Sequence, residues 1–217
     1  KSMIERVYEK ASLCKNLNNI IIATDDERIA FHVKSFGGNV IMTSKNHESG
    51  TDRCGEALEK MKEEFDVIVN IQGDEPFINP LQINEVISLF KNKNITIGTL
   101  SKKIQNYASL IDKNKVKVFF DNKNYANSFV RKHKISEEAF NKQTFYKHIG
   151  IYAFKASTLK EITKLSSTKN EIKLNLEQLK WLDNKFKIMV GVTEIESISV
   201  DTAEDILKIE EFHLKNS

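Results

Sequence analysis

The stretch Asp66–Pro80, DVIVNIQGDEPFINP, constrains this chain more than any other. Val67, Ile68, Val69 and Ile71 form a short β-branched apolar run, the pattern of a strand buried on both faces of a parallel sheet. The run stops in Gln72-Gly73-Asp74-Glu75-Pro76, a polar turn with one residue free to take positive φ and a proline that ends the ladder. Ligands of open α/β sheets sit beyond the carboxyl ends of the strands. The turn therefore puts a carboxamide and two carboxylates where a ligand is expected, and a carboxylate there suits a hard divalent cation over phosphates. An ordinary strand-to-helix loop, its acids solvated or capping a helix that starts near Pro80, accounts for the same residues.

The remaining composition narrows the function classes. A chain of 217 residues, 40% hydrophobic and 29% charged, can bury one sizeable core, so a single domain over residues 1–217 is expected. The net charge is only +3, and no basic stripe interleaved with aromatics is present, which argues against nucleic-acid binding. Cys14 and Cys54 fall on helix-like apolar faces and read as buried free thiols of a reducing compartment. The five histidines lack zinc-ligand spacing. No apolar run reaches transmembrane length and no secretory leader is visible, so no membrane insertion and a cytoplasmic location are expected. No G-x-G-x-x-G follows any expected strand, which counts against an NAD-dependent oxidoreductase.

Taken in order, Lys1–Leu17 reads as an uncapped helix and Asn19–Thr24 as a buried strand. Thr24-Asp25-Asp26-Glu27 has capping-box spacing and starts a second helix, which Gly37-Gly38 stops before a strand at Asn39–Thr43. His47–Arg53 is a polar loop feeding a third helix. Ser49 and Asp52 again have capping-box spacing, so free N–H groups there suit a phosphate or base edge, with Arg53 available to an anion. A capped surface helix with a solvated arginine is the plainer alternative. Leu81–Phe90 is the next helix, and the alternation up to this point predicts a doubly wound α/β sheet.

The pattern then changes. Ile95–Ser101, Val116–Asp121 and Tyr125–Arg131 are expected to be strands joined by hairpins, an antiparallel extension or flap spanning about residues 95–150. Lys132–Phe145 reads as irregular, His148–Phe154 as a strand and Ser157–Leu165 as a helix. Glu171–Asn184 reads as one continuous helix, with strands at Phe186–Val192 and Ile198–Val200. Asp74 and Asp201 each end an apolar strand and precede a helix start; if those strands are neighbours, the two carboxylates can share a cation.

IIATDDERI, HESGTDRCGEAL, VIVNIQGDEPFI, KHIGIYAF, LNLEQLKWL and SVDTAEDIL, in this order, resemble the 3-deoxy-manno-octulosonate (Kdo) cytidylyltransferase family. The resemblance runs from about Ile4 to the C-terminus. It implies a nucleotide-diphospho-sugar-transferase-like mixed α/β sheet flanked by helices, with an antiparallel flap or dimerisation extension. It also implies a homodimer, Mg²⁺ as cofactor, and transfer of CMP from CTP to Kdo with release of pyrophosphate for lipopolysaccharide assembly. By the same resemblance Asp74 and Asp201 are the catalytic Mg²⁺ ligands. Gln72, His148, Glu177 and Gln178 contact the sugar acid, and Ser49, Gly50, Thr51 and Arg53 line the cytidine pocket. Residue by residue, blander readings stand beside these: a hydrogen-bonded histidine within a strand, and an exposed helix pair at Glu177-Gln178.

Two departures from the family pattern bear on function. The family begins with a strand and an Arg/Ser/Pro/Lys-rich loop that hold the CTP phosphates, and KSMIERV stands after them, so slow turnover by this polypeptide alone is expected. Leu174 stands where the family usually carries an acid, and ANSFVRKHK replaces an aromatic, serine-rich strand leading to an Ile-Pro turn. Both changes touch the sugar side. An 8-amino analogue of Kdo is thus an alternative substrate, and a non-catalytic paralogue or fragment an alternative identity.

Overall fold

A computed structural model describes residues 1–196 together with Ser199 and Val200. Its first part alternates helix and strand. α1 (Met3–Ser12) does have a cap, because the Ser2 hydroxyl accepts from the Glu5 N–H, and it ends well short of Leu17. β1 (Ile22–Thr24) leads into α2 (Glu27–Ser35), whose cap is Asp26 rather than Thr24: the Asp26 carboxylate accepts from the Arg28 N–H at 2.8 Å. The Thr24 hydroxyl instead accepts from the Asp26 N–H at 3.2 Å, so the expected box is shifted by two residues. Gly37 takes φ +80 after α2, a conformation open to glycine at little cost. Gly73, for which positive φ was anticipated, does not adopt it.

β2 (Val40–Met42) lies parallel to β1, and α3 (Gly50–Lys60) and β3 (Val67–Asn70) follow. α4 (Pro80–Ser88) starts with a reciprocal capping box between Asn79 and Gln82 and with Pro80 in its first turn, where a missing N–H costs nothing.

β3 corrects the parallel-sheet expectation. It pairs antiparallel with β7 (Tyr146–Lys155), in the register Val67 to Lys155 and Asn70 to Tyr152. Its apolar residues Val67, Ile68 and Val69 are only half-buried, not enclosed on both faces. The sheet is mixed rather than doubly wound, and β7 is its spine. β4 (Ile97–Lys103) runs antiparallel along one edge of β7, while β3 and β5 (Lys117–Phe120) share the other edge end to end. β8 (Ile188–Val192) adds to β4 in parallel.

β5 and β6 (Ala126–Val130) form the expected hairpin, its turn fixed by Asn124 at φ 64 and by the Asp121 carboxylate accepting from the N–H groups of Lys123 and Tyr125. β4 and β5 form no hairpin; a short helix, α5 (Tyr107–Ile111), separates them. The start of the hairpin's second arm turns back onto β8, where Tyr125 bridges Met189 and the Val190 N–H donates to Asn124 O at 2.8 Å. This half of the sheet therefore curls round and covers its own edge.

Lys132–Phe145 is mostly irregular, as expected, apart from α6 (Glu137–Phe140). α7 (Ala156–Ile162) leaves β7. The helix expected over Glu171–Asn184 is two helices, α8 (Lys169–Leu174) and α9 (Gln178–Asp183), broken by Asn175 at φ 51. Asparagine tolerates this left-handed conformation better than most residues. Against the sheet pack Ile97, Phe154, Leu159, Ile162, Trp181 and Ile188, each 1% exposed or less. Ile198 and Asp201 lie outside the described residues.

Candidate active site

The amino end of α3 is the first wall of the site. The Ser49 hydroxyl caps it, accepting from the Asp52 N–H at 3.1 Å and donating to Asp52 Oδ2 at 2.8 Å. Gly50 sits against the end of β3: a methyl group there would meet Gln72 Oε1 at 3.1 Å, so a small residue allows the helix and the Gln72 turn to approach. Arg53 is not a solvated surface arginine. Its Nη1 donates to Thr43 Oγ1 at 2.6 Å and pairs with Asp25 Oδ1 at 3.3 Å, which holds the guanidinium at the carboxyl ends of β1 and β2.

The second wall is the break between α8 and α9. The left-handed turn at Asn175 swings Glu177 inward, where Thr51 Oγ1 donates to Glu177 Oε1 at 3.0 Å. Asn70, buried at the end of β3, reaches the same Thr51 oxygen at 3.4 Å. Burial raises the Glu177 pKa above its usual value, the Thr51 and Ser49 hydroxyls opposing. Gln178 is buried at the start of α9, and neighbouring Lys180 places its ammonium 3.5 Å from Glu171. A continuous helix would have left Glu177 and Gln178 as an ordinary exposed pair.

The third wall is a bulge. β4 and β7 lose register between Thr99 and Leu100, whose partners on β7 are Tyr152 and Ile149. Residues four apart on a straight strand are separated by about 13 Å, yet the rings of His148 and Tyr152 lie 5.2 Å apart. Thr99 Oγ1 lies 2.8 Å from Ile151 O and 2.8 Å from His148 Nε2. A hydroxyl has a single proton, so when it goes to the carbonyl the imidazole must donate from Nε2 and keep Nδ1 as an acceptor. Burial lowers the His148 pKa to about 3, which makes the ring neutral at physiological pH. Tyr152 OH and Glu177 Oε2 are both buried without a hydrogen-bond partner among the described protein atoms. Burial first, and the Glu177 carboxylate second, raise the tyrosine pKa.

The structure thus links Ser49 to Asp52, Gly50 to Gln72 and Thr51 to Glu177 around the start of α3, brings Gly50, Arg53 and Gln72 to one cavity, and packs His148 on Tyr152. Asn70, Thr99 and Tyr152 escaped the sequence reading. Tyr152 had one available signal, since alternation in HIGIYAF puts it on the face of His148. Cys54 lines α3 nearby, but burial and then the Glu177 charge push its thiol up to about 12, which makes it no nucleophile.

Asp74 is half-buried beyond the end of β3, and its carbonyl accepts from the Val200 N–H at 2.8 Å. The residue preceding Asp201 therefore runs beside the Asp74 turn. A carboxylate at a strand end is the oxygen donor that magnesium prefers. Among the described residues no group of three or more histidine, cysteine, aspartate or glutamate side chains is placed to hold a metal. The two departures noted in the sequence meet in space: Arg131 Nε donates to Leu174 O and its Nη2 to Asn175 O, each at 3.0 Å. The divergent strand thereby clamps the turn that carries Glu177.

Residues 1–190 match the family model described as cytidylyltransferase. A 3-deoxy-manno-octulosonate cytidylyltransferase of Parabacteroides distasonis is 48% identical over 96% of this chain and 86% of its own length. An 8-amino-3,8-dideoxy-manno-octulosonate cytidylyltransferase of Shewanella baltica is 42% identical over 97% of this chain and 87% of its own length. Among solved structures, CMP:2-keto-3-deoxy-manno-octonic acid synthetase complexed with CTP superposes with a TM-score of 0.91 at 30% identity, over 100% of this chain and 89% of that one. On these likenesses the chain belongs to the cytidylyltransferase family, among its 3-deoxy-manno-octulosonate cytidylyltransferases.

Proposed function

We propose that the chain transfers CMP from CTP to the anomeric hydroxyl of 3-deoxy-manno-octulosonate, with CMP-Kdo and pyrophosphate as products. The observation that carries this reading is the Thr51–Glu177 hydrogen bond, which welds a helix amino end suited to a nucleotide to a buried carboxylate suited to a sugar hydroxyl. The attacking oxygen bonds to the α-phosphorus as the bond to the pyrophosphate oxygen breaks. Alignment and charge neutralisation are what such a step requires of a protein. Ser49, Gly50, Thr51 and Arg53 take the cytidine end. Gln72, His148, Glu177 and Gln178 orient the sugar acid, His148 as a neutral imidazole with Nδ1 free to accept from a hydroxyl.

Asp74 and Asp201 are the residues that would hold Mg²⁺, supported by the hydrogen bond from Val200 to Asp74. Bound there, the ion would offset triphosphate charge and polarise the reacting phosphate. The preference for Kdo over its 8-amino analogue is supported by Kdo-named relatives at 48, 45 and 43% identity against 42% for an 8-amino-named one, with further Kdo-named relatives at 42 and 38%. We further read the enzyme as a homodimer of the cytoplasm; two cysteines without disulfides fit the reducing compartment.

A pyrophosphate-release assay with CTP, Mg²⁺ and a panel of 2-keto-3-deoxy sugar acids tests the reading. Kdo-dependent release is expected, and Asp74→Asn should lower it roughly 10²-fold. Absence of both CTP binding and Kdo-dependent release would sink it, and faster release with the 8-amino sugar would reassign the substrate.

A further inference from the structure

β8 ends at Val192, and residues 193–196 leave the sheet without regular structure, yet they are held along their length. Thr193, 1% exposed, donates its N–H to Ser101 O at 2.8 Å, and its hydroxyl accepts from the Ile195 N–H at 3.1 Å. Ile195 O accepts from Gln82 Nε2 at 3.4 Å. The Glu196 carboxylate pairs with Lys102 Nζ at 3.0 Å and with Lys147 Nζ. Further on, the Val200 N–H donates to Asp74 O at 2.8 Å. Ser101 is the register partner of His148. This strap therefore starts beside the strand pair that carries His148 and ends beside the turn that carries Asp74.

Gln82 has two tasks. It is fully buried on α4, and its Oε1 accepts from the Asn79 N–H at 3.3 Å to close the capping box. A glutamate serves such a box equally well. The amide nitrogen is the part that glutamine adds, and it goes to Ile195 O. Glu196 follows a different logic. Lys102 and Lys147 stand directly opposite each other on β4 and β7, with side chains only 15% and 16% exposed. Like charges in that position repel, and partial burial weakens their screening by salt. A carboxylate between them offsets the repulsion only while the strap lies on the sheet, so the lysine pair selects the docked position. Holding an irregular segment in one place costs about 1–2 kcal/mol of backbone entropy per residue, which anchors of this kind must offset.

We propose that Gln82 and Glu196 are positioning residues of the magnesium site: through the strap they set where Asp201, the residue after Val200, stands relative to Asp74. Neither is itself a ligand. The proposal rests on the reading of Asp74 and Asp201 as the magnesium ligands and adds that ion affinity is controlled from an amide on α4 and an ion-pair cluster on β4 and β7. Loosening the strap changes the affinity for the ion and leaves the fold in place.

Glu196→Lys tests this at a side chain that is 43% exposed. Three ammonium groups then meet on one face of the sheet and displace the strap. Mn²⁺, which takes the same oxygen ligands as Mg²⁺, serves as a paramagnetic probe titrated into the full chain with CTP present. Its affinity is expected to fall by at least about 10-fold. The Mg²⁺ midpoint of pyrophosphate release should rise by the same factor, and the Val200 amide should exchange faster, with circular dichroism unchanged. Combining Glu196→Lys with Lys102→Glu again puts one carboxylate between two ammonium groups and should restore both affinity and protection. Gln82→Met should weaken Mn²⁺ binding in the same direction; where that buried variant does not fold, the charge swap carries the test. The proposal is overturned if Glu196→Lys leaves either Mn²⁺ affinity or Val200 exchange at its parental value, or if the swap restores neither. A lowered Tm with an unchanged Mg²⁺ midpoint would likewise overturn it, by reducing both residues to a structural role. Asp74→Asn separates the two readings. Mn²⁺ affinity that survives Asp74→Asn sinks the magnesium assignment itself, whereas affinity lost in Asp74→Asn and kept in Glu196→Lys sinks the strap alone.

Discussion

The β4–β8 half of the sheet and the β1 and β3 strands end up differently, although β3, VIVN, is the more apolar run beside β4, IGTLSKK. β4 has partners on both edges, and Ile97, Leu100 and their neighbours are 1% exposed or less. Among the described residues β3 has a partner on one edge, and Val67, Ile68 and Val69 stay half-buried. The lesson concerns pairing more than composition. A strand's burial depends on what occupies each of its edges, and an apolar run reports only that it is fit to be enclosed.

The largest test of this contrast is a matched pair of truncations. Phe154→Ala removes a ring that packs edge-to-face on Trp181 at 5.3 Å and should cost about 3–5 kcal/mol in urea unfolding. Val69→Ala, in β3, should cost less than about 1 kcal/mol, because the lost methyl groups are only half-buried. Equal costs would break the comparison.

Lys117 sharpens it next. Its side chain is buried and its ammonium donates to the carbonyls of Asp112, Lys115 and Arg131, at 2.6, 2.8 and 2.6 Å, tying the loop after α5 to β6. Burial lowers the ammonium pKa, yet the three carbonyls satisfy it. Lys117→Met strands those carbonyls and should destabilise the closed half by about 2–3 kcal/mol by the same measurement.

Glu177 gives the smallest effect on stability and a distinctive one. Its folded pKa is raised, so the fold favours the neutral acid. The associated stability is fully present below the ordinary carboxylate pKa and is lost as pH rises through the raised value. Glu177→Gln keeps an oxygen for the Thr51 hydroxyl and removes the buried charge. Its Tm should match that of the parent at acid pH and exceed it by an increasing margin towards neutrality. A constant offset across the titration would mean that the carboxylate is compensated in place.

Much of the fold was readable from local rules, and the failures are specific. Capping at Ser49 was visible because a serine three residues before an acid has capping-box spacing, which uses only neighbours within one turn. The cap of α2 is misplaced in the sequence because Thr24 and Asp26 both fit the signal, and only the structure shows that Thr24 ends β1 while the Asp26 carboxylate takes the helix N–H. The break at Asn175 hid inside a good apolar stripe, since periodicity across Ile172, Leu176 and Leu179 survives one left-handed residue. That break forms the wall from which Glu177 meets Thr51. Glu177 could be named from the family likeness but not from its own surroundings.

What the residues alone determined is the set of elements and the chemistry at their ends: β-branched runs that want burial, capped helix starts, and a carboxamide and acids beyond a strand. Such features depend on neighbours within a few positions of the chain. Tertiary structure decided that β3 runs against β7, that a bulge folds His148 onto Tyr152, and that Thr51 and Glu177 meet across 126 residues. Those contacts depend on which edges and faces find each other in space, and the alternation of apolar residues is the same for a parallel partner and an antiparallel one.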